Sequence, residues 1–428
     1  MNYNQNKRIM QINEQTLIVG VDIAKEKHVA RAQDFRGIEY GKTLSFANSN
    51  KGFYEFFNWF TKLCAEHSKD NIIVGMEPTG HYWFCLAKFI RQKGIKIAIV
   101  NPMHVKKSKE LDDNSPTKND PKDARVIAQL VKDGRFAEPN MPQGVYADLR
   151  SAMDLREVLI KEVNSTKVRI VRWLDIYFPE FKDVFSSWEG KAALLTLKHL
   201  STPSKIANMN TDDILRLWKT KVKRAVGVKR AQLLVEKAKI SIGVTEGIVM
   251  AEYELHYLLD KYDTVMLKLE DLMVKVEVIL SEIPGTKEMM LIPGLGLVTV
   301  AGFLSEVCEL AQYAHPRQIQ KLAGLTLKEY SSGKHKGQTT ITKRGRRKLR
   351  ALLFKAIMPM VAKNKEFKSL HQYYTTRTNN PLKKKQSLIA LCCKLIRVLY
   401  AIGIKGVAYN PQKLINDIKH PEVTGKVA

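Results

Sequence analysis

Short apolar runs alternate with helical patterns over the first 140 residues, and this alternation limits the possible folds more than any other feature of the sequence. The runs are rich in Val and Ile, as buried strands are. They predict strands at residues 16–21, 28–33, 42–46, 71–76 and 95–100. Helical spacing predicts helices at residues 53–63, 82–92 and 120–132. Three consecutive strands followed by alternating helices and strands indicate an α/β domain with a mixed sheet.

Farther along the chain, the spacing changes, and apolar residues recur at alternating intervals of three and four positions. One heptad seam runs over residues 149–177 and is interrupted by Arg156 and Lys167, and a second runs without a charged interruption over residues 259–280. Such seams are typical of long paired helices, which join either as an antiparallel hairpin within one chain or as a contact between chains. The spacing leaves both arrangements open.

These patterns divide the chain into four segments. We expect an α/β domain, an elongated α-helical coiled-coil middle, a mainly α-helical C-terminal domain and a short tail. Their predicted boundaries are 1–140, 141–285, 286–408 and 409–428.

Positive charge is concentrated in the last third of the chain. The net charge is +27, and residues 311–408 hold 22 Lys or Arg against two acidic residues. Because basic side chains replace counterions on phosphates, this imbalance predicts binding to nucleic acid, ahead of an anionic membrane surface. The expected contact residues are Lys334, Lys336, Lys343, Arg344, Arg346, Arg347, Lys348 and Arg350.

The cysteines and apolar segments indicate a protein of the reducing cytoplasm. Five Cys, an odd number with no Cys-x-x-Cys pair, argue against a disulfide framework and a thiolate zinc site. The first 15 residues lack the apolar core of a signal peptide. The apolar run at residues 389–404 includes Lys394 and Arg397, so we expect a buried helix there and no membrane span.

Four carboxylates stand where predicted strands end or a predicted helix begins. Asp22 and Glu77 end strands, and Asp120 and Asp123 open the helix at residues 120–132. If these positions meet at one sheet edge, the carboxylates repel one another unless divalent cations lie among them, and oxygen ligands select Mg²⁺ or Mn²⁺. Two such ions can promote phosphodiester cleavage. This arrangement fits the ribonuclease H-like fold.

Each acid also has a purely structural interpretation. Asp120 before Pro121 suits a helix N-cap, and Asp123 suits the positive end of the helix dipole. Asp22 could mark a turn, and Glu77 before a proline could end a strand. Only the combination of the four favours a metal site.

Ser331 and Ser332 form a second candidate site, in the Gly- and Lys-rich segment KEYSSGKHKG at residues 328–337. A serine hydroxyl there could attack phosphorus if its proton were removed and nearby cations stabilised the developing charge. The alternative is an ordinary loop, in which two serines beside a glycine have no chemical role.

Together these motifs resemble insertion-sequence transposases of the one-ten type. The resemblance covers residues 18–136, through GVDIAK around Asp22, GMEPTGHYW around Glu77, VNP, and KNDPKDA around Asp120 and Asp123. It resumes over residues 292–352 through IPGLG, LAGL, SSGK and ITKRG. The order and spacing of two separate motif sets make coincidence improbable.

The resemblance implies specific roles for these residues. In a RuvC-like DEDD domain, the four carboxylates named above would bind magnesium, and a serine of a C-terminal transposase domain would attack DNA. Ser331 is favoured over Ser332, because SSGK resembles a SAGK form in which only the first position carries a hydroxyl.

The family resemblance further implies a DNA transposase or site-specific recombinase, guided by a noncoding bridge RNA that pairs with target and donor DNA. Because the serines and carboxylates are far apart in sequence, the site could combine domains or subunits of a homo-oligomer, a dimer or tetramer held by the heptad seams. We expect it in a bacterial or archaeal cytoplasm, associated with the nucleoid. Two other functions fit the residues: a metal-dependent Holliday-junction endonuclease that uses water, and a non-enzymatic basic RNA- or DNA-binding protein.

Overall fold

A computed structural model describes residues 3–113, 120–139, 141–223, 227–328, 331–332, 335–336, 339–415 and 418. Within these ranges, only the backbone is described at residues 3–4, 111–113, 331–332 and 335–336. The chain forms two compact units, residues 1–141 and residues 142–428.

The first unit is a mixed six-stranded sheet with helices. Its elements are α1 Tyr3–Ile9, β1 Thr16–Asp22, β2 Lys27–Gln33, β3 Glu39–Ala47, α2 Asn50–Glu66, β4 Asn71–Met76, α3 Trp83–Gln92, β5 Lys96–Val100, α4 Pro102–Asp113, α5 Asp120–Lys132 and β6 Phe136–Ala137. The strand order is β3-β2-β1-β4-β5-β6. The β1–β4 and β4–β5 pairs are parallel, and the other three pairs are antiparallel. The predicted strands and the mixed sheet are confirmed.

Apolar side chains on both faces of β1 explain why helices cover the sheet on two sides. Leu17, Val19 and Val21 belong to a core shared with α2 and α3. Ile18 belongs to a second core shared with Ile127 of α5. Because successive strand residues point to opposite faces, a continuous apolar run produces a strand buried on both sides. This architecture is consistent with a ribonuclease H-like domain.

Gly20 lets α5 approach β1 unusually closely. A Cβ atom at this position would lie 2.0 Å from the carbonyl oxygen of Ala124 and 2.6 Å from the amide nitrogen of Ala128. Both atoms belong to the α5 backbone, which cannot move aside as a flexible side chain can. Glycine at position 20 therefore fixes the depth at which α5 packs on the sheet.

The second unit is mainly α-helical in the part that the structure describes. Its helices are α6 Val145–Tyr177, α7 Phe181–Val184, α8 Lys191–His199, α9 Pro203–Ala207, α10 Thr211–Lys219, α11 Val228–Lys239, α12 Ile248–Ser281, α13 Thr286–Met290, α14 Leu297–Val307, α15 Pro316–Leu322, α16 Arg347–Lys363, α17 Lys365–Thr376, α18 Lys384–Lys405 and α19 Pro411–Leu414. Its short strands are β7 Leu327–Lys328, β8 Ser331–Ser332, β9 His335–Lys336 and β10 Thr340–Ile341. The pairs β7–β10 and β8–β9 are antiparallel.

The long helices α6 and α12 pack against each other within the chain and run antiparallel. The indole of Trp173, near the end of α6, donates a hydrogen bond of 2.7 Å to the carbonyl of Ala251, near the start of α12. At the other end, Leu149 of α6 lies in one buried cluster with Val276 and Leu280 of α12. Of the two arrangements that the seams allow, the structure has the pairing within one chain. The helical middle is confirmed, whereas its packing as a coiled coil stays a prediction.

Helix α18 has the length and apolar composition of a membrane span, the one such helix among the described residues. Its Leu391, Leu395 and Leu399 side chains are fully buried in the core of the second unit. That core also contains Leu353 of α16 and Phe367 of α17. A helix covered in this way is a core helix and does not indicate a membrane protein.

Candidate acidic site and basic surface

Parallel pairing of β1 with β4 places Asp22 beside Glu77. In the register of these strands, Val21 lies opposite Met76. Asp22 is the last residue of β1, and Glu77 is the first residue after β4. Both side chains therefore stand at the carboxyl edge of two hydrogen-bonded parallel strands, where functional sites of α/β sheets commonly lie.

Helix α5 brings Asp120 and Asp123 to the same edge. Both residues are in the first turn of α5, and Ala124 directly after them packs against Gly20 of β1. Asp22 is only two residues beyond Gly20. The close helix–strand approach thus sets the position of the first turn of α5 relative to the end of β1.

The charges of the four carboxylates act on one another. Burial is the largest cause that raises the pKa of Asp22, and the negative charges of Asp123, Asp120 and Glu77 add to it in that order, so that the pKa lies at about 6. Burial also raises the pKa of Glu77, and the charge of Asp123 adds to this effect. Strand pairing and helix packing thus bring the four predicted acids, here called the acidic cluster, to one edge of the sheet, where the other three act on Asp22.

Lys109 of α4 is a cation within this cluster. Its ammonium forms an ion pair with the Oδ1 atom of Asp123, and only 21% of the Lys109 side chain and 13% of the Asp123 side chain are exposed. The charge of Lys109 also acts against the increase in the pKa of Asp22 and of Glu77. The ammonium thus offsets part of the repulsion among the carboxylates.

The acidic cluster has the chemistry of a divalent-metal site. Carboxylate oxygens are the ligands that Mg²⁺ and Mn²⁺ prefer, and carboxylates with raised pKa values gain stability when a cation binds. As they stand, no three His, Cys, Asp or Glu side chains among the described residues are grouped closely enough to hold one ion. The donor set therefore fits a divalent ion in its chemistry, although its present arrangement does not hold one.

Ser331 and Ser332 form strand β8, which pairs with β9. Ser331 lies opposite Lys336 and Ser332 opposite His335 in this two-residue ladder. The side chains of Ser331, Ser332 and Lys336, and the whole of Lys334, lie outside the described residues. Their predicted chemical roles therefore stay predictions.

Three of the basic residues predicted to contact nucleic acid are engaged within the protein. Arg346 pairs with Glu306 at 3.3 Å, and one amino group of Arg350 donates to the carbonyl oxygens of Ala323 and Lys343 at 2.9 and 3.2 Å. Lys348 contacts the carboxylates of Asp154 and Glu157, both at 2.8 Å.

The other three described members of this group have exposed side chains. These residues, Lys343, Arg344 and Arg347, make no side-chain hydrogen bond or ion pair within the described part of the chain. Residues 343–350 therefore contain both structural cations and free ones.

Lys109 was not among the residues predicted from the sequence. It lies in α4, a helix that the apolar pattern did not predict, because Val105 is the one residue of α4 that is fully buried in the described side chains. No local pattern distinguishes Lys109 from Lys106 or Lys107. Only the packing of α4 on α5 shows which lysine reaches the acidic cluster.

Two family models match the chain. One, a transposase model of the IS110 DEDD type, covers residues 19–179 and includes all four clustered acids. The other, described as "Transposase IS116/IS110/IS902 family", covers residues 286–372 and includes both candidate serines. Together the two matches span more than half of the chain.

Two curated relatives carry similar descriptions. The putative transposase y4uE of Sinorhizobium fredii is 26% identical over 203 residues, which span 47% of this chain and 55% of the relative. The mini-circle putative transposase for IS117 of Streptomyces coelicolor is 24% identical over 335 residues, 72% of this chain and 76% of the relative. The chain thus aligns with about half of the first relative and about three quarters of the second.

The matches agree with the site in the structure. A DEDD transposase domain indicates dependence on a divalent metal, and a transposase acts on DNA. The order of the two matched regions is the order in which the acidic cluster and the serines occur along the chain. The chain is therefore a transposase that belongs to the IS116/IS110/IS902 family.

Proposed function

We propose that this transposase cuts and exchanges DNA strands by site-specific recombination, using the acidic cluster together with a nucleophilic serine. The observation that supports this most directly is the convergence of Asp22, Glu77, Asp120 and Asp123 at one sheet edge. Acids that served only as helix caps and strand terminators would not need to lie near one another, whereas the other three acids are near enough to raise the pKa of Asp22.

Magnesium is the proposed metal, with manganese as a substitute. The four carboxylates would hold it, and when bound it would supply positive charge near the phosphate that is cleaved. The carboxylates would repel a DNA phosphate when no cation is present, so their own role would be to hold the ion at the edge of the sheet.

The proposed nucleophile is Ser331, with Ser332 as the alternative. The serine Oγ atom would bond to phosphorus while one phosphodiester P–O bond breaks. The serine proton would pass to a neighbouring base, and the departing DNA oxygen would take up a proton. Attack by a free DNA hydroxyl on the serine–phosphate linkage would then join new strands and release the serine.

The proposed partners are target and donor DNA and a noncoding guide RNA. The exposed Lys343, Arg344 and Arg347 support binding to phosphate backbones. We propose that the guide RNA supplies sequence recognition through base pairing. A specific RNA that copurifies with the protein from cells would support this proposal, and the absence of RNA from active preparations would contradict it.

The proposed assembly is a homo-oligomer, a dimer or tetramer. Because α6 and α12 pack on each other within one chain, a contact between chains through their heptad seams would require that pair to open. We therefore propose that other surfaces form the oligomer. The proposed location is the cytoplasm, at the nucleoid.

Replacing Asp22 tests the role of the acidic cluster. Asp22→Asn should reduce strand exchange at least about 100-fold while leaving DNA and RNA binding largely intact, because it removes one charge from the centre of the cluster. Asp70→Asn, at an exposed carboxylate of the same unit, serves as the control. Unchanged recombination by Asp22→Asn would reject the proposed role.

Separate Ser331→Ala and Ser332→Ala variants test the nucleophile. With a DNA substrate that traps the intermediate, loss of the covalent protein–DNA adduct in one variant should identify the attacking hydroxyl. If cleavage continues without an adduct when both hydroxyls are absent, water is the nucleophile and the protein acts as a metal-dependent endonuclease. Metal-independent binding without any cleavage by the wild type would favour a non-enzymatic role.

A further inference from the structure

Lys109 is held in the acidic cluster by the packing of its helix. Val105, one turn earlier in α4, is 1% exposed and belongs to the core that also contains Val126 and Ile127 of α5. Residues four positions apart lie on the same side of a helix, so the anchored face of α4 directs Lys109 toward α5. There its ammonium pairs with Asp123.

The contact differs from an ordinary surface ion pair in two respects. First, both side chains are largely withdrawn from solvent, with 21% and 13% exposed, so the charges are screened less than at an open surface. Second, the ammonium acts on Asp22 and Glu77 as well as on Asp123. One lysine thus neutralises part of the charge of a group of acids.

The Lys109 ammonium and a divalent cation would compete for the same carboxylate oxygen of Asp123. The carboxylate oxygen that pairs with Lys109 has the hard, anionic character of a magnesium ligand. Two cations that share it at short distance repel each other, and this repulsion lowers the affinity for the ion that arrives second.

We infer that Lys109 is a built-in competitor of the divalent metal, an ammonium that must leave Asp123 when the ion binds to the acidic cluster. This inference rests on the proposed metal role of the four carboxylates. It adds that the chain itself sets the metal affinity below the value that four carboxylates alone would give. Without metal, the lysine compensates part of the negative charge of the acids.

Replacing Lys109 tests the competition through metal binding rather than activity. In titrations of the full-length protein with Mn²⁺, followed by calorimetry or by the loss of the free-ion paramagnetic resonance signal, Lys109→Met should bind Mn²⁺ about tenfold more tightly than the wild type. Lys109→Arg keeps the charge and should bind less tightly than Lys109→Met. Lys107→Met, at an exposed position of the same helix, should match the wild type. Unchanged or weaker binding by Lys109→Met would overturn the inference.

A measurement on the wild-type protein avoids any folding defect of the variants. Lys109 should react slowly with an amine acylating reagent when metal is absent and several-fold faster when Mn²⁺ saturates the protein, as quantified by mass spectrometry of the digested chain. Lys107 provides the internal reference. Equal rates with and without Mn²⁺ at a site shown to bind the ion would contradict the inference.

Different results would reject the proposed metal site and the proposed role of Lys109. If the wild type and an Asp22→Asn, Asp123→Asn double variant bind Mn²⁺ equally, the ion does not bind at the acidic cluster and the proposed function loses its metal. If the double variant loses binding but Lys109→Met does not gain it, the metal site stands and the competition is wrong.

Discussion

At the scale of single residues, the side chains that carry charge could be predicted, whereas their partners could not. The four acids were identified because each stands at a strand end or helix start. Their mutual influence at Asp22 depends on strand pairing and helix packing, which no local pattern specifies. Likewise, the sequence KRGRRKLR does not distinguish Arg350, which donates to two backbone carbonyls, from the exposed Arg347.

Because some of these basic side chains are exposed and others bond within the protein, substitutions at neighbouring positions should affect different properties. Arg344→Ala and Arg347→Ala should each weaken binding to nonspecific DNA and reduce the salt dependence of log Kd by about 0.9 per lost phosphate contact, with the same melting temperature as the wild type. Arg350→Ala should lower stability by about 1–2 kcal/mol, because it leaves two backbone carbonyls without their donor. Binding titrations at several salt concentrations, with thermal melting of each variant, measure both effects. Equal loss of stability in all three variants would contradict the distinction between exposed arginines that bind DNA and an arginine that stabilises the fold.

At the scale of helices and strands, long apolar runs were predicted well and a mostly polar helix was missed. Strand β4 was predicted with the same bounds as in the structure. In contrast, helix α4 was not predicted, because it buries little apart from Val105 and is rich in Lys. Helix α4 ends at Asp113, and residues 114–119 lie outside the described part of the chain. A helix that is held by one buried apolar residue and an ion pair has no strong hydrophobic periodicity from which it could be predicted.

The close packing of α5 on β1 predicts that Gly20→Ala damages both stability and activity. The added methyl group would overlap backbone atoms of α5, so the helix must shift and carry Asp120 and Asp123 away from Asp22. We expect a loss of about 1–3 kcal/mol, as is typical of overpacked cores, together with weaker Mn²⁺ binding. Gly227→Ala is the control, because a Cβ there has nothing within 4 Å. Urea unfolding and Mn²⁺ titration measure the two effects, and wild-type behaviour in both would show that α5 adjusts without cost.

At the scale of the whole molecule, one hydrophobic core crosses the predicted boundary between the middle and the C-terminal domain. Leu149 of α6 and Val276 of α12 are fully buried in the same cluster as Leu353 of α16 and Leu395 of α18. The predicted division at residue 285 depended on the end of a heptad seam, which shows where a helix stops but not which residues pack against it. The four-segment division stays a prediction.

This shared core predicts that residues 286–408 do not fold as an isolated fragment. Without α6 and α12, the fragment would expose the apolar surface that Leu149, Val276 and Leu280 cover. Residues 142–428, by contrast, should unfold in one cooperative transition. Circular dichroism and calorimetry of the two fragments provide the comparison. A cooperative transition in the shorter fragment would show that the C-terminal segment is independent.

The antiparallel pairing of α6 with α12 also limits how related genes can exchange parts. A chimera that received only the serine-bearing segment from a distant relative would combine two halves of a core that had diverged separately. Its interior would contain mismatched volumes, even if each catalytic group were present. A swap that takes everything from position 142 onward as a single cassette would keep the interior intact, and so would be the sounder starting point for engineering new specificity.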